Sequence, residues 1–200
     1  MTRLGILGGT FDPPHIAHLV MADQACGQLR LSRVLFVPAG QPPHKRDRVI
    51  TPAELRVAMV QLAIAGHAAC ELSRVDMDRP GPHYTADTLD LIRGTYPDAE
   101  LTLLVGSDSL RDLLKWHAPA RVAAQAHFAV MRRPNAEPDM QALEAAFPGL
   151  TCRVSWVDAP WLDISSHDIQ RRVRAGCSIR YLVPKAVESF IAEQRLYVAE

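Results

Sequence analysis

The chain has 200 residues, with 22 Lys+Arg against 22 Asp+Glu, and 48% of it is hydrophobic. That balance argues against nucleic-acid binding by bulk charge and against disordered, collagenous or coiled-coil classes. No apolar run approaches the ~18 residues of a membrane helix, and the opening stretch MTRLGILGGTF is too short in its apolar part and too glycine-rich for a signal peptide. The length fits one domain, without a membrane segment. The four cysteines, Cys26, Cys70, Cys152 and Cys177, are far apart and form no CxxC pair. They predict reduced thiols in a cytoplasmic protein rather than a disulfide framework or a zinc ribbon.

Residues 3–7 read as a first strand, followed by a Gly/Pro loop to Pro14 and a helical pattern over 15–29. Residues 33–38 are a second strand, and a loop rich in proline and charge follows. The next helix is predicted from about Thr51, with Thr51 as N-cap, Pro52 at the first helical position and Glu54 three residues after the cap. A strand at 70–75, a loop at 76–83, a helix at about 85–95 and a strongly apolar strand at 101–105 come next. Helical patterns at 107–115 and 119–125 precede a strand at 127–131, a helix at 138–147 and a strand at 152–157. Two helices follow, near 166–175 and 184–194. Alternating strands and helices predict an α/β fold with a mainly parallel sheet. The runs VLFV and LTLLV are continuously apolar, as strands buried on both faces require. In such a sheet ligands bind at the carboxyl ends of the strands. Chemistry is therefore expected in loops 8–15, 39–50, 76–84, 106–109 and 158–167.

The first of these loops is the most informative: GGTFDPPHIAH, residues 8–18. Gly8 and Gly9 let backbone N–H groups approach an anion closely, and the following helix turns its positive end to the same place. His15 and His18 are three residues apart and share a helical face, from which both can donate to phosphate oxygens. A Rossmann dinucleotide fingerprint is absent, because Gly5, Gly8 and Gly9 do not supply G-x-G-x-x-G. HIAH also lacks the glutamate of HExxH and a clear third ligand, so no protein-held metal is expected.

The string GGTFDPPHIAH resembles the signature of the HxGH nucleotidyltransferases, and its GGTFDPxH form resembles the bacterial nicotinate-nucleotide adenylyltransferases. Ala17 stands where glycine is most common. Further segments carry the likeness across nearly the whole chain. Residues 42–45 resemble a PPHK loop. Residues 81–89 resemble GPSYTxDTL, with His83 in place of serine. Residues 106–116 resemble a GxD…W segment, and Arg132-Arg133-Pro134 resembles an arginine–proline segment after the fifth strand. Residues 164–172 resemble ISSTxIRxR, with His167 in place of a small hydroxyl residue and Gln170 where arginine is usual; Arg171 or Arg172 is left to supply that charge.

The resemblance implies a Rossmann-like doubly wound parallel sheet with a small C-terminal helical part from about residue 160. It implies transfer of the AMP part of ATP to nicotinate mononucleotide, giving deamido-NAD and pyrophosphate, with Mg²⁺ carried mainly on the ATP phosphates. His18 and His15 are the expected catalytic residues. Gly8, Gly9, Thr10, Phe11, Gly106, Asp108, Arg132, Ser165, Ser166 and Arg172 are expected, with the two histidines, to bind ATP. His44, Lys45, Thr85, Trp116 and His117 are expected to bind the mononucleotide, Trp116 by stacking on the pyridine ring and the backbone beside Thr85 and His117 by meeting its carboxylate. Tyr84 and Asp87 read as structural. No nucleic acid or membrane partner is implied, and a homo-oligomer stays open. The rivals are another member of the superfamily (a phosphopantetheine adenylyltransferase or a cytidylyltransferase), an NAD(P)-dependent oxidoreductase, and a non-catalytic nucleotide-binding module.

Overall fold

The computed structural model describes residues 2–40, 50–133 and 136–198. Its centre is a six-stranded, wholly parallel sheet: β1 (Arg3–Gly9), β2 (Arg33–Pro38), β3 (Cys70–Leu72), β4 (Glu100–Gly106), β5 (His127–Met131) and β6 (Val154–Val157). The spatial order is β3-β2-β1-β4-β5-β6. The order reverses between β1 and β4, and a doubly wound sheet opens a crevice there. Register is set by the apolar runs: Ile6 lies beside Leu35 on one flank and Leu103 on the other, and Phe128 beside Leu103.

Alternate residues of every strand but β3 feed two cores. Leu4, Ile6, Leu35 and Val37 pack with α3 (Thr85–Thr95), α5 (Pro119–Gln125) and α6 (Met140–Ala146). Leu7, Val34, Phe36 and Leu104 pack on the other face with α1 (Ile16–Leu29) and α2 (Ala53–Ile64). A third cluster joins Met59 and Ala63 of α2 to Ile169 of α7 (Ser166–Arg174) and Val187 and Ile191 of α8 (Lys185–Glu193). The helices after β6 are thereby attached to the face that carries α1 and α2.

The predicted elements are present, with local corrections. The third strand is three residues long rather than six, because the chain turns soon after it, the Met77 N–H donating to the Arg74 carbonyl at 2.7 Å. The helix expected over 107–115 is α4 (Ser107–Arg111) followed by a 3₁₀ turn at Leu113–Lys115. A 3₁₀ turn at Thr151–Arg153 likewise replaces the start of the sixth strand. Thr51 does not cap α2, whose N-cap is Pro52. The Thr51 N–H instead donates to Asp12 Oδ2 at 3.2 Å, and its carbonyl accepts from Arg56 Nε at 2.9 Å.

Arg56 is 1% exposed, although it is charged. Its guanidinium donates to the carbonyls of Thr10 (2.8 Å), Ala39 (2.8 Å) and Gly40 (3.1 Å) as well as to Thr51. These are the chain segments leaving β1 and β2 and entering α2. Arg56→Met keeps the apolar stem and leaves four inward-facing carbonyls without their donor. It should lower the unfolding free energy by ~3 kcal/mol or more, read as a shift of the urea midpoint at unchanged slope; a loss under about 1 kcal/mol would show that these carbonyls find other donors.

Candidate functional site

A cleft of about 400 Å³ opens at the carboxyl ends of β1, β2 and β4. Gly8, Gly9, Thr10 and His18 line one side; Tyr84, Thr85, Trp116 and His117 line another; Gly106, Ser109 and Arg133 complete the rim beside β4. A methyl group built on Gly8 would meet nothing within 4 Å, so this backbone faces open space that a ligand can enter.

The loop after β1 takes its shape from Phe11. That residue has φ 51°, the left-handed region, with its side chain 1% exposed. A bulky residue stays there only because its surroundings over-determine it. The ring packs against Phe36 and stands edge-on to the His18 imidazole, with centroids 5.0 Å apart. His15 precedes α1 and is 3% exposed. Its ring stacks on His18 at 3.7 Å. The two histidines do share a face, but His18 reaches the cleft and His15 lies behind it.

Burial and then the Arg133 guanidinium lower the His15 pKa to about 4. Burial, followed by His15 and Arg133, holds His18 well below the ordinary histidine range. Both rings are therefore neutral at pH 7. The His15 backbone N–H donates to His18 Nδ1 at 3.1 Å, so the single proton of His18 sits on Nε2. His18 is a neutral donor of fixed tautomer.

Opposite the glycine loop, the N-terminus of α3 opens on the cleft at Tyr84 and Thr85. Its free amides and dipole suit an anion. Trp116 is half-buried, packed against the first core, and presents its remaining surface to the cleft. Tyr84 stacks on His117 with centroids 4.0 Å apart, so it belongs to this wall rather than being only structural. Asp87 is paired with Arg121.

Several expected ATP contacts lie elsewhere. Arg132 covers the Trp156 ring at 4.2 Å, and the next residue, Arg133, lines the cleft instead. Successive side chains leaving a strand point to opposite sides. Asp108 stands beside Gly106 with Oδ1 3.6 Å from Arg133 Nε. Ser165 caps α7 by accepting the Asp168 N–H at 3.1 Å, and Arg172 Nε donates to Asp168 Oδ2 at 2.7 Å. Ser166 Oγ donates to the Pro13 carbonyl at 2.8 Å, and Gln170 Nε2 to the Asp12 carbonyl at 2.7 Å. The hydrogen bonds of this motif are thus spent on its own helix and on the loop after β1, and none of its residues lines the cleft. His44, Lys45 and Pro134 lie outside the described residues. Arg133 and Tyr84 were not expected in the site; the doubled arginine after the fifth strand was the signal for the first.

Residues 6–172 match the model of the cytidylyltransferase-like family. A probable nicotinate-nucleotide adenylyltransferase of Thermomicrobium roseum is 52% identical over 98% of this chain and 92% of its own. One of Herpetosiphon aurantiacus is 45% identical over the full length of both. The fold is shared with the Plasmodium falciparum nicotinic acid mononucleotide adenylyltransferase complexed with NaAD, at a TM-score of 0.82 and 19% identity over 98% of each chain. An HxxH loop at the switch point, a helix N-terminus facing it across one cleft, and full-length likeness to these relatives lead to one conclusion: the chain belongs to the cytidylyltransferase-like family and, within it, to the nicotinate-nucleotide adenylyltransferases.

Proposed function

We propose that this cleft transfers the adenylyl group of ATP to nicotinate mononucleotide, releasing pyrophosphate and giving nicotinate adenine dinucleotide for NAD biosynthesis. The observation that carries the reading is the two-ended cleft. The Gly8–Thr10 backbone and His18 Nε2–H form one end, and the α3 N-terminus with Trp116 and His117 forms the other. The attacking group is a phosphate oxygen of the mononucleotide, already ionised at neutral pH, so no general base is needed. Its bond to the α-phosphorus forms as the bond to the pyrophosphate oxygen breaks. Catalysis is then positioning and charge stabilisation.

His18 donates from Nε2 to the oxygens that gain charge, and His15 holds that ring in its tautomer and orientation. Arg133, rather than Arg132, is the cation presented to the phosphates, and it exchanges its contact with Asp108 for them. Mg²⁺ would ride on the ATP phosphates, where it neutralises charge; among the described residues no three His, Cys, Asp or Glu side chains are grouped to hold it. Lys45 and His44 are assigned to the mononucleotide phosphate on the PPHK likeness alone. The four cysteines are unpaired, which supports a cytoplasmic location.

Pyrophosphate release from ATP tests the reading, with nicotinate mononucleotide, nicotinamide mononucleotide and phosphopantetheine as acceptors. Release with phosphopantetheine alone would move the protein to another member of the superfamily. His18→Ala should lower kcat about 10²-fold while ATP binding changes little, the signature of a donor that matters most in the transition state. A loss within about threefold would remove His18 from the chemistry.

Selectivity follows from the acceptor end. A carboxylate only accepts hydrogen bonds, whereas a carboxamide turns an NH₂ toward the donors of the α3 N-terminus. The mismatch costs ~1–3 kcal/mol, so nicotinate mononucleotide should be preferred by about 5- to 150-fold in kcat/KM. Trp116→Ala should weaken both acceptors and keep their ratio. A ratio that collapses would make the ring stack the source of selectivity.

The neutral histidines also set an acid limit. The folded His15 titrates near 4 against its ordinary 6.5, so the unfolded chain takes up the proton first as pH falls. The contribution to stability is complete above pH 6.5 and drains away down to about pH 4. It amounts to about 3 kcal/mol for a shift of this size. Urea midpoints measured across this range should fall less steeply in His15→Asn than in the wild type; parallel curves would mean that His15 can charge in place.

A further inference from the structure

The chain beyond β6 returns to the β1–α1 loop and the first residue of α1 at four points. The Ile16 N–H donates to the Leu182 carbonyl at 2.9 Å, Ser166 Oγ to Pro13 O, and Gln170 Nε2 to Asp12 O. The fourth contact reaches a charge: the Tyr197 hydroxyl donates to Asp12 Oδ1 at 2.6 Å across 185 positions of sequence. Tyr197 itself has φ 64°, a left-handed conformation that a tyrosine adopts only when held. It is held by the third core, against which it packs. Asp12 is 5% exposed, and its second oxygen accepts the Thr51 N–H.

The position of Asp12 matters because Arg56 is its electrostatic neighbour. The Tyr197 and Thr51 donors satisfy the carboxylate from its own side. The guanidinium is then left to the carbonyls of Thr10, Ala39 and Gly40. Without the hydroxyl, a buried carboxylate oxygen lacks a donor, and the cation that feels its charge is Arg56. A closer Asp12–Arg56 pair would draw Arg56 off Thr10 and shift Phe11, whose ring stands against His18.

We propose that Tyr197 is a positioning residue for the adenylyl transfer: its hydroxyl fixes Asp12 and, through Asp12, the Thr10–Phe11 turn and the His18 ring. The proposal rests on the function proposed above. The hydroxyl touches no reacting atom and acts through geometry, so its loss should appear in kcat rather than in substrate affinity.

The test is steady-state kinetics of Tyr197→Phe with ATP and nicotinate mononucleotide, well below its melting temperature. We expect kcat to fall about tenfold, the scale of a small misplacement of a catalytic group, with both KM values within about twofold. Leu143→Ala removes a side chain of α6 from the opposite core and supplies a destabilised control; it should melt earlier and keep the wild-type kcat. Placing 4-aminophenylalanine at position 197 restores a donor and should recover most of kcat. An unchanged kcat in Tyr197→Phe, a change confined to KM, or an equal kcat loss in Leu143→Ala would each overturn the proposal. Should Tyr197→Phe not fold, the 4-aminophenylalanine protein decides alone, and a tenfold loss in it would overturn the proposal. A wild-type protein that releases no pyrophosphate from this substrate pair would instead overturn the proposed function.

Discussion

The site depends on one buried cation. Parallel strands end in carbonyls that the sheet no longer pairs, and at β1 and β2 these ends must converge to make a cleft. Arg56 resolves the conflict from α2. Its planar fork has five N–H donors in fixed directions, and four acceptors from three chain segments meet them. A lysine would offer a point charge with three donors and could not span the same separation. The cost of burying a charge is offset by these bonds and by the nearby Asp12 carboxylate. The glycine loop is thus stiff because of what lies beneath it rather than because of its own sequence, which is otherwise among the most permissive in the chain.

The same arrangement explains why the histidines are neutral. A polyanion would gain from charged imidazoles, yet Arg133 already supplies a positive charge, and burial penalises a second and a third. Keeping His18 neutral avoids an electrostatic trap that would hold substrate and product equally tightly. A fixed Nε2–H is a dipole whose value grows as charge builds on the oxygen it faces, and that differential strengthening is what lowers a barrier.

Much of this was legible in the sequence, for identifiable reasons. The strands announced themselves because a parallel sheet covered on both faces needs uninterrupted apolar runs. GGTFDPPHIAH marked the site because paired glycines, a helix N-terminus and paired histidines are constraints that act within one loop. The reading failed where the constraint is long-range. Nothing local distinguishes Arg132 from Arg133, since the choice depends on which way the chain leaves β5. In the sequence Arg56 is one residue of the helix predicted from about Thr51; only the tertiary structure shows it buried. ISSHDIQRR resembles a motif from which Ser165, Ser166 and Arg172 are expected to reach ATP, and its contacts here include a helix cap, the Asp168 ion pairs and two bonds to the first loop.

That last case bears on why the helices after β6 exist at all. The sheet and its two covering layers would be complete without them, and neither main core includes a residue of α7 or α8. What they add is a third core on α2, the helix that carries Arg56, and a set of donors aimed at Asp12 and Pro13. Gln170 is instructive in this setting. An arginine at this position could reach a phosphate, whereas the shorter amide satisfies the Asp12 carbonyl and stops there. Gln170 thereby supports the loop, and the cation that lines the cleft is Arg133, which approaches from β5 on the rigid sheet. The positive charge at the cleft and the support of the loop thus come from different elements.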